Sequence, residues 1–320
     1  MAAPATIHVV ATSVSRRGLL AAGAAVLLPA AASCARTQGT ATPSLSMASP
    51  SPSTSGATPT ASTATTTATL DPTPSPTPSG VSSAKVKKTL RAYLDGRQGK
   101  YRVAVHDRRS GVTLHLASGE AEMLSTIKVV IAMAALRRAA EARRRLTDSE
   151  TVLLGAMLRE SDNDATNTVL AQLGSRAVEA EISALRLTRT GFQPQGNWWG
   201  WSTTIPEDLL LVVDALVDGT TDLGTSRERW LLRQMQSTVQ WQRWGVARPP
   251  LRGDLVVSTK NGWGPAPGGY RVNSMGHVKG EGRDYSMAVL GNSPVGFTDG
   301  TATVSTLATM VHKALRQRLV

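Results

Sequence analysis

Cysteine is nearly absent from this chain, with one in 320 residues, at Cys34. That excludes an intramolecular disulfide and a cysteine-built metal site, so stability has to come from a packed core. Phenylalanine is almost as scarce, two against seven tryptophans, and the 23 acidic side chains fall short of the 35 lysines and arginines. The formal net charge is therefore +12 and the pI near 10.5. Such a surplus favours anionic wall polymers or lipid head groups, or else is an arginine-rich solvated surface, since Arg137, Arg138, Arg143, Arg144 and Arg145 suit the outer side and end of one helix. His106, His115, His277 and His312 lie far apart without metal-ligand spacing, so no metal and no cofactor is implied. Long hydrophobic runs are missing too: Gly18 to Ala32 is too short and too alanine-rich for a membrane span.

The first quarter of the chain reads as address and tether. Ser15-Arg16-Arg17-Gly18-Leu19-Leu20 resembles a twin-arginine export signal, and Ala31-Ala32-Ser33-Cys34 is similar to a bacterial lipobox with alanine where leucine is usual. Residues 1–33 are thus expected to be a signal peptide, with Cys34 lipidated and the protein anchored on the outer face of the cytoplasmic membrane. Ordinary cleavage, with a secreted product and Cys34 a bystander, is the alternative. Export makes nucleic acid an implausible partner. Residues 34–84 are rich in Ser, Thr, Ala and Pro, as in Thr73-Pro74-Ser75-Pro76-Thr77-Pro78, and cannot bury enough apolar surface to offset the entropy of ordering. As a flexible coil of roughly fifty residues such a tether reaches about 40 Å.

Residues 85–320 are long enough for one two-lobed domain, expected to act as a monomer. Periodicity predicts helices at 84–95, 126–145, within 150–173, at 206–217 and at 301–319. It predicts a hairpin at 101–117 and strands at 254–260, 270–278 and 284–291. Strands at both ends with helices between them imply one α+β domain: an antiparallel sheet enclosing an inserted helical subdomain.

Three segments carry chemistry. Ser125 stands where a helix should begin, with Lys128 three residues later on the same face, a nucleophile with a base in reach. A lysine can serve as that base only if burial or a neighbouring cation lowers its pKa. Ser161-Asp162-Asn163 follows, then Lys260-Asn261-Gly262-Trp263. In order and rough spacing these resemble the S-x-x-K, S-D-N and K-T-G elements of penicillin-binding proteins and class A β-lactamases. From about Lys100 onward the chain is similar to that serine hydrolase superfamily, and its K-x-G-W third motif resembles that of a subset of actinobacterial β-lactamase-like lipoproteins.

The resemblance implies roles. Ser125 would be the acyl-accepting nucleophile, activated by Lys128; Ser161 would relay a proton to the leaving nitrogen, and Lys260 would hold that hydroxyl and a substrate carboxylate. Asn163 would bind the substrate's amide carbonyl, Asn261 would donate a hydrogen bond, and the backbone N–H groups of Ser125 and Trp263, around Gly262, would form the oxyanion hole. Asp162 is read as a structural loop residue. The substrate would be a β-lactam or a D-Ala-D-Ala-like peptide derived from peptidoglycan.

Two departures matter. The Ω-loop stretch Leu187 to Ile205 contains no Asp or Glu, whereas class A enzymes use a glutamate there to activate the deacylating water. Glu207, just beyond, is read as a helix-start residue. The second departure is Asn261 with Trp263, where the family has threonine and a small residue: Asn261 can still donate a hydrogen bond, and Trp263 is expected to narrow the cleft beside the oxyanion hole. Trp198, Trp199, Trp201 and Trp263 either line a cleft that stacks on sugar rings or pack into the core. The expectation is an acyl-enzyme hydrolase with slow deacylation; the alternative is a penicillin- or peptidoglycan-binding lipoprotein with little or no turnover. Arg271 is a candidate for meeting a substrate carboxylate.

Overall fold

The computed structural model describes residues 80–196, 198–249 and 254–320. The predicted signal peptide, Cys34 and most of the predicted tether lie outside them. The folded part begins earlier than the expected boundary at 85. Strand β1 (Gly80–Val81) pairs in parallel with the last strand, β9 (Arg318–Leu319), and helix α1 (Ser83–Asp95) starts on Ser82, whose side chain accepts from Ala84 N at 3.2 Å.

Strands β2 (Lys100–Asp107) and β3 (Val112–Leu116) form the predicted hairpin, and the short β4 (Ala121–Glu122) leads to the first motif. Helices α2 (Lys128–Glu141), α3 (Asp148–Arg159), α4 (Asn163–Leu173) and α5 (Ser175–Ala184) follow. The short β5 (Thr203–Thr204) pairs with β4, and α6 (Pro206–Asp218) and α7 (Thr225–Gln236) complete the inserted helices. The chain then returns through β6 (Val256–Ala266), β7 (Gly269–Gly280) and β8 (Arg283–Ser293) to α8 (Phe297–Ala314). The main sheet has the order β3-β2-β8-β7-β6, antiparallel throughout, so β6 is an edge strand.

Alternation along the strands builds two cores. Val103 and Val105 of β2, with Met287 and Val289 of β8, face α1 and α8, where Val86, Leu90, Val304, Leu307 and Val311 meet them. Ala104, Met275, Ala288 and Leu290 point the other way, into the helical subdomain. Ala104 and Ala288 are paired across β2 and β8, and their small side chains let the helices approach that face closely. Helix α2 is the spine of this second core: every residue from Lys128 to Ala135 is buried. A helix apolar on all sides belongs in an interior, and the lysine at its first position is drawn in with it.

Helix lengths differ from the periodic reading where caps and breaks intervene. The segment expected at 126–145 opens instead with a 3₁₀ turn, Leu124–Ile127, before α2 begins. The 150–173 segment is two helices, because Ser161 adopts φ 60°, which a helix cannot contain, and Asp162 then caps α4 by accepting from Ala165 N at 2.7 Å. Helix α6 starts on Pro206 with Glu207 and Asp208 in its first turn and ends on Gly219 at φ 70°. Replacing Ile131, wholly buried on α2, by alanine should cost about 2–5 kcal/mol of unfolding free energy, read as a lower urea midpoint. Val152→Ala on exposed α3 should move the midpoint by about 0.5 kcal/mol or less.

Candidate active site

Ser125 lies in the 3₁₀ turn that feeds α2. With three residues per turn, side chains at i and i+3 eclipse, so Ser125 and Lys128 stack on one face. The turn is held under strain. Leu124 sits at φ 49°, a conformation rare for a branched residue, and the bonds around it keep it there. Met123 N donates to Ser202 O at 2.7 Å; Met123 O accepts from Thr126 Oγ1 at 2.7 Å and from Asn273 Nδ2 at 3.2 Å; the same Asn273 amide donates to Glu122 O at 2.7 Å. Arg271 pairs with the Glu122 carboxylate at 2.5 and 3.0 Å, so its guanidinium braces this turn rather than standing open for a substrate.

Strand β6 passes against the turn at Gly262. A Cβ there would lie 2.7 Å from both Met123 O and Ser125 N, which only glycine avoids. Thr259 O accepts from Thr238 and Asn261 O from Lys260 Nζ, so both residues aim their backbone groups away from β7, and the two-residue repeat turns Trp263 N–H to the same free edge.

The two lysines converge on one hydroxyl. Lys260 Nζ donates to Ser161 Oγ at 2.9 Å and Lys128 Nζ to the same oxygen at 3.3 Å. Lys128 also donates to Ser161 O at 2.6 Å and to Asn163 Oδ1 at 2.8 Å. Both side chains are fully buried. Burial holds Lys128 down at about 7, the negative charge of Asp162 opposing it, and burial followed by the nearby charge of Lys128 holds Lys260 well below the usual amine range. Charged, Lys128 has three N–H donors for these oxygens; neutral, it keeps two, enough for Ser161 O and Asn163 Oδ1, and gains one lone pair to take a proton, no longer donating to Ser161 Oγ. Ser125 Oγ makes no hydrogen bond among the described residues.

The sequence model of the beta-lactamase enzyme family matches residues 149–315, just over half of the chain, a range that contains Ser161, Asn163 and Lys260 and begins after Lys128. This chain belongs to the β-lactamase enzyme family. A class A β-lactamase from Mycobacterium abscessus shares 23% identity, with 72% of this chain and 98% of that one covered and a TM-score of 0.62. The TLA-1 extended-spectrum β-lactamase shares 17%, covering 73% and 99%, TM-score 0.66, and a structure titled PBP-A shares 18%, covering 72% and 96%, TM-score 0.63. The fold is that of the class A β-lactamases. A protein of Mycobacterium tuberculosis named "Putative lipoprotein LppW" is 28% identical over 213 residues, 63% of this chain and 66% of the relative. The chain thus spans just under two thirds of the length of that relative.

Within the family the site has its own features. Trp199, in a 3₁₀ turn of the Ω-loop stretch, is buried; its Nε1 donates to Asn167 Oδ1 at 2.9 Å and Lys128 Nζ lies 4.8 Å from its ring centroid. An indole face, in place of a carboxylate, is what that loop offers the lysine. The sequence left Trp199 among four candidates; only the fold singles it out. Glu207 accepts a 2.8 Å bond from His115 on β3, the opposite edge of the sheet from Lys260, about 19 Å away at the usual strand spacing. Its reading as a helix-start residue agrees with this position.

Two expectations are corrected. Asn261 is wholly buried and its amide donates to Gln242 O at 2.7 Å and Trp244 O at 3.2 Å, so both N–H bonds are used inside the protein. It anchors the segment before β6 rather than offering a donor to the cleft. Trp263 lies on the face of β6 opposite the glycine contact and packs edge-on against Trp241 and Trp244, at 5.4 and 6.2 Å, and near Phe297. The alternation of β6 that brings Gly262 to the serine turn carries the next side chain away from it. Gly262→Ala should lower the melting temperature through a backbone clash, whereas Gly264→Ala, which meets only the flexible Leu124 Cδ1 at 3.3 Å, should be tolerated; equal melting of the two variants would contradict the close approach.

Proposed function

We propose that this protein is a serine hydrolase that forms an acyl-enzyme with a β-lactam or a D-Ala-D-Ala-like peptide through Ser125 and releases it slowly. The observation that carries the reading is the pair of buried lysines sharing the Ser161 hydroxyl, one of them, Lys128, a single helical turn after Ser125. Ser125 Oγ attacks the amide carbonyl while its proton passes to Lys128 Nζ, whose lowered pKa keeps it partly neutral near pH 7. The tetrahedral oxyanion is met by the N–H groups of Ser125 and Trp263, brought side by side by Gly262. On collapse, the leaving nitrogen takes a proton from Ser161 Oγ, which is resupplied from Lys128. Lys260 orients that hydroxyl and, when charged, attracts the substrate's carboxylate. Asn163, whose Oδ1 is occupied by Lys128, keeps its NH₂ group for the substrate's amide carbonyl. No cofactor is required.

Deacylation needs a base for water, and the Ω-loop stretch supplies an indole instead of a carboxylate. A general base is commonly worth about a hundred- to ten-thousandfold, so the adduct should persist for many minutes. This observation also favours the second reading, a penicillin- or peptidoglycan-binding protein with little turnover. Intact mass spectrometry with a penicillin should give one adduct per wild-type chain and none on Ser125→Ala, with a burst of product followed by a slow steady state. Acylation should fall about tenfold per pH unit below pH 7 and level off above it, because protonation of Lys128 removes the base. Equal labelling of Ser125→Ala, or burst-free turnover abolished by Glu207→Gln, would reject the assignment.

The twin-arginine signal, Cys34 and the lipoprotein name of the mycobacterial relative support an exported protein anchored to the membrane by lipid at Cys34. Membrane fractionation checks this: Cys34→Ala should move the protein to the soluble or secreted fraction, and Arg16→Lys with Arg17→Lys should retain the precursor in the cytoplasm.

A further inference from the structure

A hollow of about 570 Å³ opens between the first turns of α3 and one face of α7, beside the C-terminal half of α2, where Leu136 lines it. Ser125 lies before the opposite end of that 14-residue helix, so the hollow and the serine are separated by roughly 20 Å of helix. Its walls combine three chemistries. Arg145, Arg227 and Arg233 contribute guanidinium groups, and Trp230 contributes a half-buried indole. Asp148 and Thr151 of α3 and Ser226 of α7 contribute oxygens.

The arginines differ from those that hold the fold together. Arg108, Arg109, Arg137, Arg144, Arg189 and Arg271 each reach a carboxylate. Arg145, Arg227 and Arg233 have no carboxylate within salt-bridge distance among the described residues. Arg227 is nonetheless fixed: it donates to Leu223 O at 3.1 Å and to Arg144 O at 2.9 Å, which aligns the guanidinium without neutralising it. Ser226, Trp230 and Arg233 recur at helical spacing along α7, so hydroxyl, ring and cation form one continuous strip.

We infer that this hollow is a binding site for a glycosyl phosphate, with the phosphate on the arginines and the sugar ring on Trp230. A bare polyanion would suit the three guanidiniums but not Asp148, whose carboxylate sits in the same wall. A ligand carrying both an anion and hydroxyl donors satisfies all of them: phosphate oxygens accept from the arginines, sugar hydroxyls donate to Asp148, and the apolar ring face covers the indole. The size is within the usual range for small-molecule sites. Such a group occurs both in phosphodiester-linked wall polymers and in glycosylated lipid head groups, and the site is independent of the chemistry at Ser125.

Calorimetric titration of the full chain with glucose 1-phosphate at low salt tests the assignment. Saturable one-to-one binding is expected, weakening about tenfold or more in Arg227→Ala and in Arg233→Ala, and weakening as salt is raised. Trp230→Leu should weaken glucose 1-phosphate while leaving inorganic phosphate unaffected, and Ser125→Ala should change nothing. Arg145 and Arg233 are exposed, so Arg145→Ala with Arg233→Ala keeps the test open if the tryptophan variant melts early. Wild-type affinity in the arginine variants would overturn the site. Inorganic phosphate binding as tightly as glucose 1-phosphate, or adenosine monophosphate binding more tightly, would overturn the glycosyl assignment. Sedimentation of the Cys34→Ala chain with vesicles containing a polyprenyl glucosyl phosphate, competed by glucose 1-phosphate, identifies a lipid source; glucose 1-phosphate binding without sedimentation on those vesicles identifies a wall polymer.

Discussion

Two amines buried within reach of one serine hydroxyl are the constraint around which this molecule is arranged. Taking a charged ammonium out of water is costly, and two side by side cannot both stay charged. The protein resolves this by surrounding them with oxygens: Ser161 O, Asp162 O and Asn163 Oδ1 for Lys128, and Asn261 O for Lys260. Those oxygens exist because the helical subdomain is broken between α3 and α4, with Ser161 turned into a left-handed conformation and Asp162 restarting the helix. A continuous helix there would satisfy its own carbonyls and deprive Lys128 of Ser161 O and Asp162 O; Asn261 O, for Lys260, comes from β6.

The sheet contributes through its edge. Strand β6 runs at the free margin, close enough to the serine turn that Gly262 has no room for a side chain, and Asn273 on the neighbouring β7 holds the two residues that precede the strained Leu124. Ser125, Ser161 and Trp263, proposed as nucleophile, proton relay and oxyanion donor, thus lie on three separate segments that meet where the 3₁₀ turn packs against β6 and β7. The aromatic cluster of Trp241, Trp244, Trp263 and Phe297 on the other face of β6 secures that edge from behind. The unusual tryptophan content is in part a device for fastening an edge strand.

In the proposed reaction the Ω-loop stretch sets Trp199, not a carboxylate, beside Lys128, which sets acylation apart from deacylation. An indole can cover a lysine and exclude water, but it cannot take a proton from water. The residues proposed for acyl transfer are in place, whereas the stretch from Leu187 to Ile205 offers no carboxylate, and the proposed slow release rests on that difference. Fold membership alone could not make that distinction, because many activities share one scaffold.

The sequence by itself determined the antiparallel sheet with inserted helices, the three motifs, and the lack of an acid between Leu187 and Ile205. These depend on local periodicity and residue type. Glu207 was legible for the same reason, as an acid beside a helix-starting proline. Only the tertiary structure decided that Trp199 covers Lys128, that Asn261 is turned inward, and that Trp263 faces away from the cleft. Each of these turns on which segments become neighbours across distances of thirty to seventy residues along the chain, or on which face of an edge strand meets the serine turn. A one-residue change of register reverses every side chain on a strand, and local sequence carries no record of what the other side will meet.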